Sequence, residues 1–216
     1  MMKCHIVDYG LCNLLSVANA LKYLSIEPVI TDDSRQLLEA KAVILPGVGA
    51  FNDGMEGLKA RDLIQPVLAY ADSGRPLLGI CLGMQMLMTK SYEFGVFEGL
   101  NLIPGEVKRF VPSVDGQGMR MRIPHIGWNG IYPSQQHWQH GLLDGIKPGE
   151  DMYFVHSYKV IPDQEVHVLA QTTYIDQTFC SVVKRGNIMG CQFHPEKSSS
   201  WGIKILKNFV NQAYNS

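Results

Sequence analysis

Residues 77–88, Leu77-Leu78-Gly79-Ile80-Cys81-Leu82-Gly83-Met84-Gln85-Met86-Leu87-Met88, constrain the fold more than any other stretch. The apolar run behind Pro76 predicts a buried strand, and the residues from Leu82 predict a helix that begins with no loop between the two. Cys81 therefore stands on a sharp strand-to-helix turn. Gly79 and Gly83 flank it at positions where a Cβ would obstruct the turn or the packing of helix on strand. Orphan N–H groups at a helix start favour a thiolate, which makes Cys81 a candidate nucleophile. A small core cysteine fits the same pattern, so the rest of the chain has to decide between them.

Short apolar runs recur at 4–7, 28–30 and 42–45 ahead of the turn. Between them lie residues at helical spacing: Leu14, Val17, Ala18, Leu21 and Leu24 behind Asn13, a candidate N-cap, and later Leu63, Ile64, Val67, Leu68 and Ala71. This alternation predicts an α/β fold with a central, mostly parallel sheet, helices on both faces, and ligands at the carboxyl ends of the strands. The third run breaks at Pro46-Gly47-Val48-Gly49. Two glycines in four residues free the backbone to aim N–H groups at a ligand, as in an oxyanion hole, though a plain strand-to-helix turn reads the same way. From 106 onward the pattern changes to short strands, at 152–158, 166–170, 179–183 and 188–193, which predicts a smaller antiparallel region. A last helix carries Trp201, Ile205, Leu206, Phe209 and Val210, with Ser199 or Ser200 as its cap. One domain over 1–216 accounts for the whole pattern.

A formal charge of −1 gives no overall basic excess for nucleic acid. Lys108, Arg109, Arg120 and Arg122 read as a solvated basic face more readily than as an anion site. Asp8 comes too early for a signal peptide and no run approaches the ~20 apolar residues of a membrane span, so a cytoplasmic protein is expected. Five cysteines without a C-x-x-C pair argue against a disulfide framework and a cysteine-rich zinc site. His137 and His140 have no third ligand nearby and read as surface. No metal and no cofactor is expected, there being no phosphate loop and no dinucleotide fingerprint.

The run at 188–193 leads straight into His194-Pro195-Glu196. A residue before proline is pushed to extended backbone, where positions i and i+2 point the same way, so Glu196 can orient the His194 imidazole. With Cys81 these residues supply nucleophile, base and orienter.

Together, Gly79-Ile80-Cys81-Leu82-Gly83-Met84-Gln85 and Gln192-Phe193-His194-Pro195-Glu196 resemble the motifs of the class I glutamine amidotransferases. Asp8-Tyr9-Gly10 with Asn13, Leu45-Pro46-Gly47-Val48-Gly49, Ile123-Pro124-His125-Ile126-Gly127-Trp128-Asn129 and Tyr153-Phe154-Val155-His156-Ser157-Tyr158 extend the resemblance from end to end. They narrow it to the branch that serves imidazole glycerol phosphate synthases. The resemblance implies the flavodoxin-like amidotransferase fold, with Cys81 as nucleophile, His194 as general base and then acid, and Glu196 as its orienter. It also implies an oxyanion hole from the backbone N–H groups of Leu82 and of Val48 or Gly49, completed only when a partner is loaded. Gln85, Glu93, Ser157 and Tyr158 match positions that hold the substrate glutamine. Asn13, Trp128, Tyr153 and Lys197 match positions facing a cyclase subunit with a (β/α)8 barrel. That partner would use the ammonia to make imidazole glycerol phosphate and an aminoimidazole carboxamide ribotide in histidine biosynthesis.

Cys12 stands where many relatives have a small residue, and Tyr92 where an acidic one is common. Cys12, in the partner-facing loop, leaves open a paralogue feeding ammonia to a related barrel in another amidation pathway. A free-standing hydrolase of γ-glutamyl compounds or peptides is a second alternative, with the segments 123–129 and 153–158 against it. The intact Cys81, His194 and Glu196 argue against a non-catalytic interaction subunit.

Overall fold

The computed structural model describes residues 2–11, 13–135, 138–139 and 141–214. Its first half alternates β1 (Lys3–Val7), α1 (Leu14–Tyr23), β2 (Glu27–Thr31), α2 (Ser34–Glu39), β3 (Val43–Leu45), α3 (Phe51–Ala60), α4 (Ile64–Asp72), β4 (Leu77–Ile80) and α5 (Leu82–Met86). Short strands follow: β5 (Lys90–Ser91), β6 (Phe97–Glu98), β7 (Gly105–Arg109), β8 (His125–Gly130), β9 (Tyr132–Pro133), β10 (Asp151–His156) and β11 (Tyr158–Pro162). The longer β12 (Val168–Tyr174), β13 (Gln177–Arg185) and β14 (Ile188–Cys191) lead to α6 (Ser199–Tyr214).

Eight strands form one sheet in the order β2-β1-β3-β4-β14-β13-β12-β9. Neighbours are parallel from β2 to β14 and antiparallel from β14 to β9. Part of the expected antiparallel region thus extends the central sheet. The rest forms the β8–β10 pair and the small sheet β11-β7-β5-β6.

Two-residue alternation within the strands puts core on both faces of the sheet. Cys4, Ile6, Ile44, Leu78 and Ile80 join one apolar layer with Val17 and Leu21 of α1 and Ile205 and Phe209 of α6. Val7, Val43, Leu45 and Leu77 join the other with Leu58, Val67 and Met84 of α3, α4 and α5. Each such side chain, once buried, contributes about 1.5–3 kcal/mol.

Some local expectations are corrected. The sequence pattern did not predict α2 or α3, and Gly54 and Gly57 hide the latter, since glycine costs ~1 kcal/mol in a helix interior. Close packing explains them: a Cβ on Gly57 would lie 2.5 Å from the Tyr9 carbonyl oxygen. Asn13 occupies the N-cap position of α1, but its side chain makes no capping hydrogen bond. Residues 165–167 form a 3-10 turn ahead of β12, so that strand starts at Val168. Ser199 is the first residue of α6, and the hydroxyl of Ser198 is spent elsewhere. Lys108 pairs with Glu106 on the surface. Among the described residues no helix is long and apolar enough to cross a membrane. Cys12, His137 and His140 lie outside the described residues.

Candidate active site

The β4–α5 turn is as tight as the glycines require. Cys81 has φ 54° and ψ −107°, a backbone conformation non-glycine residues rarely adopt and one that costs ~1–3 kcal/mol. Its N–H donates to the Cys191 carbonyl at 2.8 Å, so β14 braces the turn. A Cβ on Gly83 would lie 1.8 Å from the Leu45 carbonyl oxygen, and one on Gly79 would lie 2.7 Å from the backbone of Gly83. Neither position has room for a side chain.

The chain leaving β14 delivers His194 beside this turn. Its N–H donates to the Tyr153 carbonyl at 3.0 Å, and its own carbonyl accepts from Ser198 Oγ at 2.6 Å. Backbone at φ −98° and ψ 97° is the extended form that the following proline imposes. It brings Nδ1 to 2.8 Å from Glu196 Oε1, with the two side chains only 3% and 2% exposed. A carboxylate can only accept, so the proton is on Nδ1. Nε2 is buried without a well-aligned hydrogen bond. Burial works against a charged ring, but the nearby Cys81 side chain and the Glu196 carboxylate outweigh it and raise His194 to about 10. At neutral pH His194 therefore holds its proton beside the Cys81 sulfur, as the acid of the pair.

Cys81 and His194 open onto a cavity of about 310 Å³. Its walls include Val48, Gly49 and Leu82 together with Gln85, Glu93, Ser157 and Tyr158, so every residue expected to touch substrate lies at one place. Glu93 is buried, and its Oε2 accepts from the Phe51 N–H at 2.7 Å, at the start of α3. Burial raises its pKa, the Phe51 N–H opposes that, and Asp53 adds to it. Gln85 Nε2 donates to the Tyr158 carbonyl at 3.3 Å and to Gln192 Oε1 at 3.2 Å.

Two of the N–H groups expected to form the oxyanion hole are engaged otherwise. Leu82 donates to the Gly47 carbonyl at 3.4 Å and Val48 to the Leu11 carbonyl at 3.2 Å. Gly49 has φ +102°, a conformation that favours glycine, and a Cβ there would meet open space.

Two buried histidines back the cavity. His156 lines it and donates from Nδ1 to the Tyr158 carbonyl at 2.7 Å. Its Nε2 meets His125 Nδ1 at 3.0 Å, and His125 Nε2 meets the Asn129 side-chain amide at 2.7 Å. Burial holds both rings neutral; His156 falls to about 3. With Nδ1 of His156 donating, its Nε2 must accept from His125 Nδ1; His125 Nε2 then accepts in turn, so the Asn129 amide, placed with Oδ1 toward it, is the group to be turned over.

No separate role for His156 or Gln192 is legible in the sequence. The spacing argument that placed Glu196 beside His194 applies equally to Gln192, two residues earlier on extended chain.

Trp128 and Tyr153 are register partners on β8 and β10, with rings 5.7 Å apart and Trp128 half exposed. Lys197 is exposed on the turn after Glu196. Asn13 borders a crevice shared with Gly47, Val48, His194 and Glu196. None of the four residues expected at a partner surface lines the cavity; each lies next to the His194–Glu196 turn or, for Trp128, next to Tyr153.

The family model for glutamine amidotransferase class-I matches residues 5–213. The chain is 46% identical over 204 residues to the imidazole glycerol phosphate synthase subunit HisH of Syntrophotalea carbinolica, covering 94% of this chain and 97% of that one. It is 45% identical over 212 residues to subunit HisH 1 of Legionella pneumophila, covering 97% and 99%. Among solved structures, one described as a glutamine amidotransferase superposes with a TM-score of 0.72 at 20% identity, over 97% of this chain and 98% of the other. PurLQS from Thermotoga maritima gives 0.69 at 19%, over 98% of each. At such identities the superpositions speak for the fold alone.

Proposed function

Because the chain belongs to the class I glutamine amidotransferases, we propose that it hydrolyses glutamine as the ammonia-producing subunit of an imidazole glycerol phosphate synthase in histidine biosynthesis. The observation that carries this reading is the single cavity shared by Cys81, His194 and the four residues expected to hold glutamine.

The Cys81 thiol proton resides on His194 Nε2 before attack, and the sulfur adds to the side-chain amide carbon. Glu196 stabilises the imidazolium through Nδ1. His194 then protonates the departing nitrogen, which leaves as ammonia. Water, deprotonated by the same ring, cleaves the glutamyl thioester to glutamate. Glu93 and Tyr158 hold the amino-acid end of the substrate, and Gln85 and Ser157 complete that grip.

The oxyanion needs Leu82 and Val48 or Gly49, and the Leu82 and Val48 donors are turned to other carbonyls. One missing donor typically costs ~10²–10³ in turnover, so the chain alone is a slow glutaminase. Ammonia released to water would be protonated and lost, which makes idleness without a receiver useful. We assign that receiver to the cyclase barrel subunit, docked over Asn13, Trp128, Tyr153 and Lys197.

The test is glutamate release by the chain alone, with the cyclase subunit, and with the cyclase plus its ribonucleotide substrate. Near-silence alone and strong stimulation by the loaded cyclase is the expected result. Full activity alone would replace the reading with a free-standing hydrolase, and silence throughout would assign the chain to a different barrel.

A further inference from the structure

We infer that Gln192 is a further catalytic residue, whose side-chain amide donates a hydrogen bond to the sulfur of Cys81 and holds it as the nucleophile and again as the leaving group. This rests on the assignment of Cys81 as nucleophile above.

Gln192 is fully buried, and its Nε2 lies 3.7 Å from Cys81 Sγ. The orientation of the amide follows from groups whose roles are fixed. The Tyr158 carbonyl can only accept, and Gln85 Nε2 reaches it at 3.3 Å. The second N–H of Gln85 then meets Gln192 at 3.2 Å, which requires the Gln192 oxygen on that side. Gln192 must accordingly present its nitrogen to the sulfur. Turning it over would set two N–H groups against each other and an oxygen against a thiolate. His156, donating to the same Tyr158 carbonyl at 2.7 Å, pins the acceptor on which the order depends.

The chemistry balances without a proton from Gln192. The thiol proton goes to His194, and Gln192 keeps both hydrogens throughout. What it supplies is a neutral donor to the sulfur of a buried residue, 7% exposed, which carries charge before attack. The bond weakens while sulfur is esterified and returns when the thioester breaks, so thiolate departure is eased by the same contact. A uniformly structural glutamine would brace α5 against β14 but would leave the reactivity of the sulfur unaltered.

The experiment is the pH dependence of Cys81 alkylation by iodoacetamide, read by mass on the Cys81 peptide, in the wild type, Gln192→Glu and Gln192→Met. Peptide masses separate Cys81 from the other thiols, of which Cys4, Cys180 and Cys191 are buried and pushed up by burial. Gln192→Glu keeps the shape and the acceptor for Gln85 but replaces the donor with a charge of the thiolate's sign. Its alkylation midpoint is expected to rise by about one pH unit or more, since a unit corresponds to a tenfold change in the protonation equilibrium. Gln192→Met, which keeps the bulk and carries no charge, is expected to shift the midpoint in the same direction by less. With the loaded cyclase present, glutamine turnover in both should fall roughly 10–100-fold with KM little altered, the mark of an interaction made at the reacting atoms. If Gln192→Glu fails to fold, Gln192→Met decides alone. Folded variants alkylating along the wild-type curve would overturn the inference. A wild-type Cys81 no more reactive than the buried thiols would instead overturn its assignment as nucleophile.

Discussion

The backbone N–H of Leu82 points at the carbonyl oxygen of Gly47, 3.4 Å away. The donor expected to meet the oxyanion is thereby turned to the segment that follows β3, which is itself held at Pro46. Tyr9 donates from its buried hydroxyl to the Pro46 carbonyl at 2.6 Å, and a Cβ on Gly47 would lie 2.2 Å from that hydroxyl. The residues 46–49 are thus held at Pro46 by Tyr9 and at Val48 by the Leu11 carbonyl.

Tyr9→Phe should loosen this pin. Losing this one hydrogen bond costs ~0.5–1.5 kcal/mol, which thermal denaturation would read as a lower Tm. Glutamate release by the chain alone should rise several-fold, because the strand would sample other orientations of the Gly47 peptide more often. An unchanged basal rate in a destabilised variant would separate the hydroxyl from the control of the strand.

Glu196→Gln removes the charge beside His194 Nδ1 while keeping the shape. Stimulated glutaminase activity should fall about 10²–10⁴-fold, the range over which an orienting carboxylate acts in such a triad. Stability gives an independent reading. His194 is raised from an unfolded value near 6.5 to about 10, so its contribution is complete below pH 6.5 and is lost as pH rises toward about 10. The stability gap between wild type and Glu196→Gln in urea should therefore narrow across that window. A gap independent of pH would mean that Glu196 acts by packing alone.

Much of this site was legible because its parts lie on local patterns. A strand running into a helix with glycines on either side of Cys81 leaves one place for the thiol, and the proline after His194 sets its spacing to Glu196. The residues that escaped assignment act through contacts distant in sequence. Gln192 meets Gln85 107 positions away, and His156 meets His125 across 31. No periodicity encodes such a pairing. The state of residues 46–49 was also not legible, since two glycines permit either orientation and only the acceptors at Leu11 and Gly47 choose between them.

His156 should make the fold acid-sensitive. Burial, with lesser effects from His125, His194 and Lys159, lowers it to about 3 against the opposing bond to the Tyr158 carbonyl. Between about 6.5 and about 3 the unfolded chain binds a proton that the folded one refuses, so stability drops as pH falls through that range. His156→Asn offers an N–H near the position of Nδ1 and does not titrate. Urea unfolding at pH 7, 6, 5 and 4.5 should show the variant less stable at neutrality, through the vacated space and the lost His125 contact, yet less steeply weakened by acid. Parallel pH slopes would remove His156 as the cause.

Trp128 joins the proposed partner surface to the catalytic turn through Tyr153. The two rings meet edge to face at 5.7 Å, while the Tyr153 carbonyl accepts from His194 and its N–H donates to Ser198 Oγ at 3.0 Å. A half-exposed tryptophan beside a tyrosine is the type of side chain that dominates interfaces, where truncation of an anchor costs ~2 kcal/mol or more. Trp128→Ala should therefore weaken binding of the cyclase by about 30-fold or more in Kd, since ~1.4 kcal/mol is a factor of ten. Because no Trp128 atom lines the glutamine cavity, Cys81 alkylation in the isolated variant should keep the wild-type pH midpoint. Titration calorimetry against the cyclase and the alkylation profile separate these outcomes. Wild-type affinity would move the docking surface away from β8, whereas an altered profile would show that Trp128 holds the catalytic turn even without a partner.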